Sequence, residues 1–389
     1  MNSEALRDIA ASFATPAFIF DADEFGRRAK NVKSAIGGAS LCYSIKANPF
    51  LLACLPEEID RVEVCSPGEL AICRRVGVDP STVVYSGVNK GSEDIAEAIE
   101  YGAELLTAES LRQLGLINAA ALAAGKRVRV ALRLTSGNQF GMDSENLKRA
   151  VAEKGSYEGV DIVAIHYSGT QKKKLAVVEK ELAELEELAD TLEERFGLSG
   201  ISLEYGPGLP ADYFSDDPEG RDMAVLAETG AMIAAVAARR SVTVEFGRFL
   251  ASPCGTYLTA VADIKNNNGE NFVICDGGIN HLKYYGQTMA MQTPPITLLG
   301  DHGEKTEDYT LCGSLCTTAD ILVRKVTLPA LSVGDVLAFG RCGAYSVTEG
   351  IGLFLSRQLP RIVLHSERGG NRLLRDFYGT DILNSPAEV

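Results

Sequence analysis

The sequence has no apolar run near the roughly 18 residues that a membrane span needs. It also has fewer positively charged residues than negatively charged ones. Its 389 residues include 38 lysines and arginines against 52 acidic residues, a formal net charge of −14. This balance argues against nucleic acid or a membrane as the main partner. Because the N-terminus lacks a basic start followed by an apolar block, we predict no secretory signal and a cytoplasmic location.

Cysteine spacings typical of a zinc site are also missing, since there is neither a CxxC pair nor a matching His/Cys pattern. The nine cysteines are odd in number and lie mostly in apolar runs, in a chain far longer than disulfide scaffolds. We therefore expect reduced core cysteines and no bound metal. Neither an internal repeat nor a low-complexity tract is evident.

What the chain does contain is an alternation of short β-branched runs with helix-length segments. Eight such runs occur: LCYSI (41–45), RVEVC (61–65), TVVYS (82–86), ELLT (104–107), RVRVALRL (127–134), VDIVAI (160–165), ISLEY (201–205) and VTVEF (242–246). Parallel strands joined by crossover helices follow from this pattern, and eight can close into a TIM-like (β/α)8 barrel. From about residue 250 short runs continue without long helices, which is typical of an all-β domain. The first, GTYLTAVADIKNNNGENFVICDGG (255–278), predicts two strands around an Asn/Gly turn. We predict an α/β barrel over residues 22–249 and a β domain over residues 250–389 together with residues 1–21.

The first barrel run ends in a lysine, Lys46. Burial lowers the pKa of a lysine, and a neutral amine can attack a carbonyl to form a Schiff base. The alternative is a snorkelling lysine at a strand end, which alone would be the commoner case.

Other predicted strand ends are also polar or glycine-rich, where barrel enzymes carry their catalytic groups. These ends are Ser66, Ser86-Gly87, Arg133, His166-Tyr167, Gly206-Pro207-Gly208 and Glu245-Phe246-Gly247-Arg248. Backbone N–H groups around Gly206 and Gly208 could bind a phosphate. Glu245 and Arg248 could equally form a surface ion pair. A Schiff-base lysine, a phosphate loop and a carboxylate for the ring nitrogen are together what pyridoxal phosphate needs.

Here the sequence resembles the fold-type III pyridoxal-phosphate decarboxylases, which include diaminopimelate, ornithine and arginine decarboxylases. Nine motifs in the family's order carry the resemblance: YSIKAN (43–48), EVCSPGEL (63–70), LRLT (132–135), NQFGMD (138–143), HYSGTQ (166–171), EYGPGL (204–209), EFGRFL (245–250), CGSLCTTAD (312–320) and GAYS (343–346). Each motif alone is weak, and nine in order are strong.

The resemblance implies roles for residues along nearly the whole chain. Lys46 would form the Schiff base and Glu245 would contact the ring nitrogen, while His166 or Tyr167 would cover the ring face. The remaining cofactor contacts would come from Arg133, Gly206, Gly208, Gly247, Arg248 and Tyr345. The resemblance also implies a homodimer with shared active sites, in which Cys316 enters the partner's site as a proton donor, and Thr317 and Arg248 face the substrate.

Two departures from the family concern the substrate. Thr317 replaces the acidic residue that follows the cysteine in members acting on diamino acids, so a distal ammonium would lose its partner. The segment 279–285 replaces an arginine-bearing one. CTTAD and GGINHL are more similar to the branch that decarboxylates conjugated or carrier-tethered amino acids in antibiotic and siderophore pathways. We expect such a decarboxylase; the alternatives are a meso-diaminopimelate decarboxylase, a racemase and an inactive decoy.

Overall fold

The structure, a computed structural model, describes residues 1–169 and 174–386. Its strands are β1 (Ala17–Asp21), β2 (Ser40–Ser44), β3 (Arg61–Val64), β4 (Val83–Tyr85), β5 (Leu105–Ala108), β6 (Val128–Arg133), β7 (Val160–Ser168), β8 (Ser202–Gly206), β9 (Val242–Phe246), β10 (Gly255–Asn267), β11 (Glu270–Cys275), β12 (Ile296–Leu299), β13 (Thr306–Cys312), β14 (Ile321–Pro329), β15 (Val336–Phe339), β16 (Arg361–Ser366) and β17 (Gly370–Arg375).

The helices are α1 (Ser3–Phe13), α2 (Ala22–Ala35), α3 (Pro67–Val76), α4 (Ser92–Tyr101), α5 (Leu111–Ala123), α6 (Ser144–Ala152), α7 (Leu175–Phe196), α8 (Pro218–Ala237), α9 (Arg248–Ala251), α10 (Ser346–Glu349) and α11 (Asp381–Asn384). Within the described ranges no helix is long and apolar enough to cross a lipid bilayer.

Strands β2 to β9 form the predicted closed parallel barrel. The last strand pairs with the first, so that Cys42 lies opposite Glu245. All eight predicted runs are barrel strands, which confirms the α/β fold. The chain after the barrel is mostly sheet, also as predicted.

The second part is a nine-stranded sheet with a main path in the order β14-β13-β11-β10-β1-β16-β17. The N-terminal β1 lies inside it, antiparallel to β10 and parallel to β16. Strands β10 and β11 meet at Asn268 and Gly269, whose φ angles of 54° and 89° suit a two-residue hairpin turn. The predicted Asn/Gly turn is therefore confirmed.

Among the elements not predicted from the sequence are α1, β16, β17 and the short helices α9 to α11. Helix α1 buries Leu6 and Ile9 in a cluster that includes Ile19 and Leu258, so tertiary packing on the sheet accounts for it. Most of β17 is exposed, and its sequence therefore lacks the apolar alternation by which strands are recognised.

Backbone contacts divide the chain into two units, called here the barrel unit and the sheet unit. The barrel unit comprises Gly26–Pro210 and Glu219–Leu250. The sheet unit comprises Met1–Phe25, Ala211–Pro218 and the chain from Ala251 onward. The domain boundaries expected from the sequence, at residues 21/22 and 249/250, remain a prediction.

Candidate active site

Lys46 lies just beyond the first barrel strand rather than on it. Strand β2 ends at Ser44, and Lys46 stands in a single 3-10 turn, Ile45–Ala47. The turn is fixed at its far end by Asn48, whose carbonyl accepts a 2.8 Å hydrogen bond from the Tyr43 hydroxyl. The expectation that Lys46 ends the strand is corrected by two residues, because the strand gives way to this turn.

The Lys46 amine is held by two side chains of the neighbouring strand and its end. Nζ donates to Glu63 Oε2 at 2.6 Å and lies 3.3 Å from Cys65 Sγ. The β2–β3 register causes this, since Ser44 pairs with Glu63. Sequence reasoning missed both partners as site residues, although an acidic residue inside the apolar run RVEVC was a signal for Glu63.

The charge state of Lys46 is the opposite of the one expected. Burial by itself lowers the pKa of Lys46, but the nearby Glu63, Cys65 and Glu245 outweigh it and raise that pKa well above the usual value. Burial would likewise raise the pKa of Glu63, yet the Lys46 ammonium lowers it to about 2. Lys46 is therefore a charged amine in an ion pair with a carboxylate that is only 4% exposed.

Not every predicted polar strand end belongs to the site. The Ser66 side chain caps α3 by accepting a 3.1 Å hydrogen bond from the Glu69 N–H. Glu69 in turn accepts a 2.6 Å hydrogen bond from the Cys65 N–H. Helix capping thus accounts for Ser66 without a catalytic role.

Glu245 and His166 form a second buried pair. His166 Nε2 lies 3.2 Å from the Glu245 carboxylate, and the two side chains are 2% and 5% exposed. Two atoms of the pair, Glu245 Oε1 and His166 Nδ1, lack a hydrogen-bond partner among the described residues. A buried polar atom without a partner is unusual and points to a group that binds there.

The choice between His166 and Tyr167 follows from the alternation of β7. Successive side chains of a strand point to opposite faces. The Tyr167 hydroxyl donates to Glu181 of α7 at 3.1 Å, while His166 faces Glu245. Residues Thr170 and Gln171 of the same motif lie outside the described residues.

Arg133 at the end of β6 is engaged by a carboxylate. Its Nη1 lies 2.5 Å from Glu109 Oε1, and its guanidinium lies 4.8 Å from the ring centre of Phe140. Glu109 Oε2 also accepts from the Gly141 N–H at 2.8 Å. Gly141 has a φ of 73°, and a Cβ there would lie 2.8 Å from the Arg133 carbonyl oxygen, so the turn requires glycine.

The predicted phosphate loop follows β8 and β9. A Cβ on Gly206 would lie 2.6 Å from Ser168 Oγ, and one on Gly247 would lie 3.1 Å from the Ala47 Cβ. Packing therefore already explains these two glycines without a phosphate. Gly208 has a φ of 62°, and the buried Arg248 begins α9.

A further buried carboxylate, Glu204, lies across from His166 on β8. Its Oε1 accepts from Arg61 Nη1 at 3.1 Å, while its Oε2 has no partner among the described residues. Burial raises the pKa of Glu204 to about 7; the Arg61 charge opposes this rise and the Glu245 charge adds to it. Glu204 is thus a group that changes charge near neutral pH.

The remaining predicted residues belong to the sheet unit. Cys316 is exposed and Thr317 half-buried, in a loop between β13 and β14. Tyr345 has a φ of 66°. All nine cysteines are free thiols as expected. Four of them are exceptions to the expectation that the cysteines fill the core: the exposed Cys316 and the half-buried Cys54, Cys65 and Cys312.

Comparison with known proteins identifies the family. The family model described as "Pyridoxal-dependent decarboxylase, C-terminal sheet domain" matches residues 42–343. A decarboxylase of the L-glutamyl-BtrI acyl-carrier protein from Niallia circulans is 29% identical, over 96% of this chain and 94% of that protein. Diaminopimelate decarboxylase from Aquifex aeolicus is 24% identical, over 98% and 94%.

Solved structures agree on the fold. Diaminopimelate decarboxylase from M. jannaschii, in complex with L-lysine, has a TM-score of 0.83 at 24% identity and covers 98% of this chain and 94% of its own. Lysine/ornithine decarboxylase from Vibrio vulnificus, in complex with putrescine, has a TM-score of 0.77 at 21% identity, over 88% and 92%. The chain therefore belongs to the pyridoxal-dependent decarboxylases, carboxy-lyases that act on amino acids with pyridoxal phosphate as cofactor.

Proposed function

We propose that this enzyme removes the α-carboxylate of an amino acid held as a conjugate or on a carrier protein, with Lys46 as the residue that binds the cofactor. The observation that supports the site assignment is the buried Glu245 carboxylate, whose Oε1 lies near His166 but accepts no hydrogen bond from the described residues. The protonated ring nitrogen of pyridoxal phosphate is a donor that would satisfy it.

The other side chains fit the same cofactor. The Lys46 side chain is 41% exposed, so an aldehyde could reach its amine. His166, rather than Tyr167, would cover the ring face. The phosphate would be bound by backbone N–H groups at Gly206, Gly208 and Gly247 together with Arg248 and Tyr345, and Arg133 would stand nearby in its ion pair.

In the reaction, bound pyridoxal phosphate supplies an electron sink for the electron pair that is left when carbon dioxide departs. Glu245 would keep the ring nitrogen protonated through a charge-assisted hydrogen bond. Lys46 must lose a proton before its amine can react, and the Glu63 carboxylate at 2.6 Å opposes that loss because it stabilises the ammonium. Cys316 would return a proton to the product.

The proton donor implies a partner subunit. Cys316 is exposed in the sheet unit, which suits a residue that enters the site of a second copy. We therefore include a homodimer with shared sites in the proposal. The cytoplasmic location stays a prediction from the sequence.

The proposed substrate class rests on Thr317. A carboxylate at this position would attract a distal ammonium, whereas the half-buried threonine offers a neutral hydroxyl. The 29% identity with the carrier-protein decarboxylase supports a tethered substrate. Several diaminopimelate decarboxylases among the relatives favour the second candidate, meso-diaminopimelate.

Carbon dioxide release from four substrates tests the choice: diaminopimelate, lysine, free glutamate, and glutamate joined to a carrier protein by a thioester of its side-chain carboxylate, which leaves the α-carboxylate free. We expect the thioester to have the highest kcat/KM. Thr317→Glu should raise kcat/KM for diaminopimelate relative to the thioester by about tenfold or more, because a carboxylate again faces the ammonium. Thr318→Glu, a change of the adjacent exposed threonine, is the matched control. Efficient turnover of diaminopimelate by the native enzyme would overturn the proposed substrate and favour the second candidate.

A further inference from the structure

The sheet unit contains a groove of about 490 Å³ that no residue of the proposed chemistry lines. This volume is within the roughly 300–1,000 Å³ of ligand pockets. Apolar side chains form most of the lining and a few charged ones interrupt it; among them are Ile279, Leu282, Met289, Ala319, Arg324 and Ile351. The groove is therefore suited to a ligand that presents apolar surface to most of this lining.

One buried carboxylate fixes the groove to the loop that carries Cys316. Asp320 Oδ1 accepts from the Ile279 N–H at 2.9 Å, and its Oδ2 accepts from the Leu315 N–H at 2.8 Å. A Cβ on Gly278 would lie 2.5 Å from this carboxylate, so the chain passes directly over it. The wall at Ile279 and the loop bearing Cys316 thus share one rigid support.

The wall at Met289 is a strained turn. Met289 and Ala290 have φ angles of 48° and 57°, a conformation that is uncommon outside glycine and tends to occur at ligand clamps. Arg324 holds the turn, since its N–H donates to the Ala290 carbonyl at 3.0 Å and its Nε to the Met289 carbonyl at 2.8 Å. The Met289 side chain remains 68% exposed, so its backbone is fixed and its apolar surface is presented to solvent.

The charges of the groove favour an anion at one point. Lys283 is paired with Glu349 at 3.3 Å, whereas Arg324 forms no ion pair with any carboxylate of the described chain. A ligand that combines apolar groups with one anionic group matches this arrangement. A free amino acid would leave most of the groove empty.

The geometry points to a binding site for the phosphopantetheine arm of a carrier-tethered aminoacyl substrate, with the stem along Met289 and Ile351 and the phosphate at Arg324. The inference rests on the proposed function, because only a tethered substrate has such an arm. It goes further by assigning recognition of the arm to these groove residues.

A matched pair of methionines tests the site. Met289 lines the groove, and Met291, two residues on, does not, yet the two side chains are 68% and 69% exposed. Aspartate tolerates the positive φ of Met289, so Met289→Asp should fold. It should weaken binding of free 4′-phosphopantetheine, measured by calorimetry, about tenfold through repulsion and lost apolar contact, while Met291→Asp binds as the native enzyme does.

Activity gives a second measurement. Met289→Asp should lower the ratio of kcat/KM for glutamate tethered to phosphopantetheine through a thioester of its side-chain carboxylate to kcat/KM for free glutamate by about tenfold. Arg324→Gln should lower kcat/KM for this thioester more than for the pantetheine thioester, which lacks the phosphate.

Three results would overturn the site. Equal effects of the two aspartate variants would remove the role of the groove, even if thioester turnover by the native enzyme supported the proposed function. Loss of the dimer in Met289→Asp alone would assign the surface to a second copy of the chain. No native turnover of any thioester would remove both the arm site and the proposed substrate.

Discussion

The ion pair between Lys46 and Glu63 predicts how fast the enzyme without cofactor captures pyridoxal phosphate. Only the neutral amine can attack the aldehyde. Because Glu63 raises the pKa of Lys46 well above its usual value, the neutral fraction is small at neutral pH and grows with rising pH. The native capture rate should thus rise about tenfold per pH unit across the neutral range.

Glu63→Gln removes the charge and keeps the shape. At 2.6 Å and an effective dielectric constant of about 20, the Coulomb attraction is about 6 kcal/mol. Lys46 is 41% exposed, so water screens the pair, and we expect about 1.5–3 kcal/mol to remain, the usual value of a hydrogen bond to a charged group. This energy corresponds to a neutral fraction roughly 10- to 100-fold larger in the variant. Capture should accelerate by the same factor, and its pH profile should move to lower pH.

Stopped-flow measurement of the visible absorbance of the bound cofactor, from about pH 7 to 9, checks this expectation. Glu69→Gln is the matched control, since it removes the same charge from the first turn of α3, where Glu69 accepts a hydrogen bond from the Cys65 N–H and none from Lys46. An equal or slower rate in Glu63→Gln at every pH would refute the reasoning. Equal acceleration in Glu69→Gln would assign the effect to net charge rather than to the pair.

Other predictions concern the buried carboxylates and the dimer. Glu245→Gln should lower kcat about 100-fold or more and weaken cofactor binding much less; equal losses in turnover and cofactor titration would contradict its role. The pKa of Glu204 is raised from 4.5 to about 7, so native stability should fall as pH rises through this window. Across this pH range the melting temperature of Glu204→Gln should fall by about 2 °C less than that of the native enzyme. Parallel curves of melting temperature against pH would count against the raised pKa of Glu204. Coexpressed Lys46→Ala and Cys316→Ala subunits should recover about a quarter of native activity, because half the dimers are mixed and each has one intact site. Inactive mixed dimers would exclude shared sites.

The alternation of short runs with helical segments was sufficient to predict the barrel, and nine motifs in order were sufficient to recognise the resemblance to the family. Eight β-branched runs separated by amphipathic segments can bury their apolar side chains in only a few folds. The preference for right-handed crossovers restricts these folds further, and the parallel barrel is one of those that remain. The end of α7 at Gly197, with its φ of 64°, and the turn at Asn268 and Gly269 were likewise predictable, because each needs a residue that tolerates positive φ.

What the sequence could not determine depends on pairing between distant residues. The β2–β3 register brings Glu63 to Lys46. Glu63 thereby helps to raise the pKa of Lys46, which burial alone would have lowered. The orientation of β7 in the barrel decides that His166 meets Glu245 while Tyr167 meets Glu181, a distinction that two adjacent aromatic residues do not carry in their order. The charge state of Lys46 and the sides to which His166 and Tyr167 point depend on neighbours that the fold brings together. Both therefore became known only from the tertiary structure.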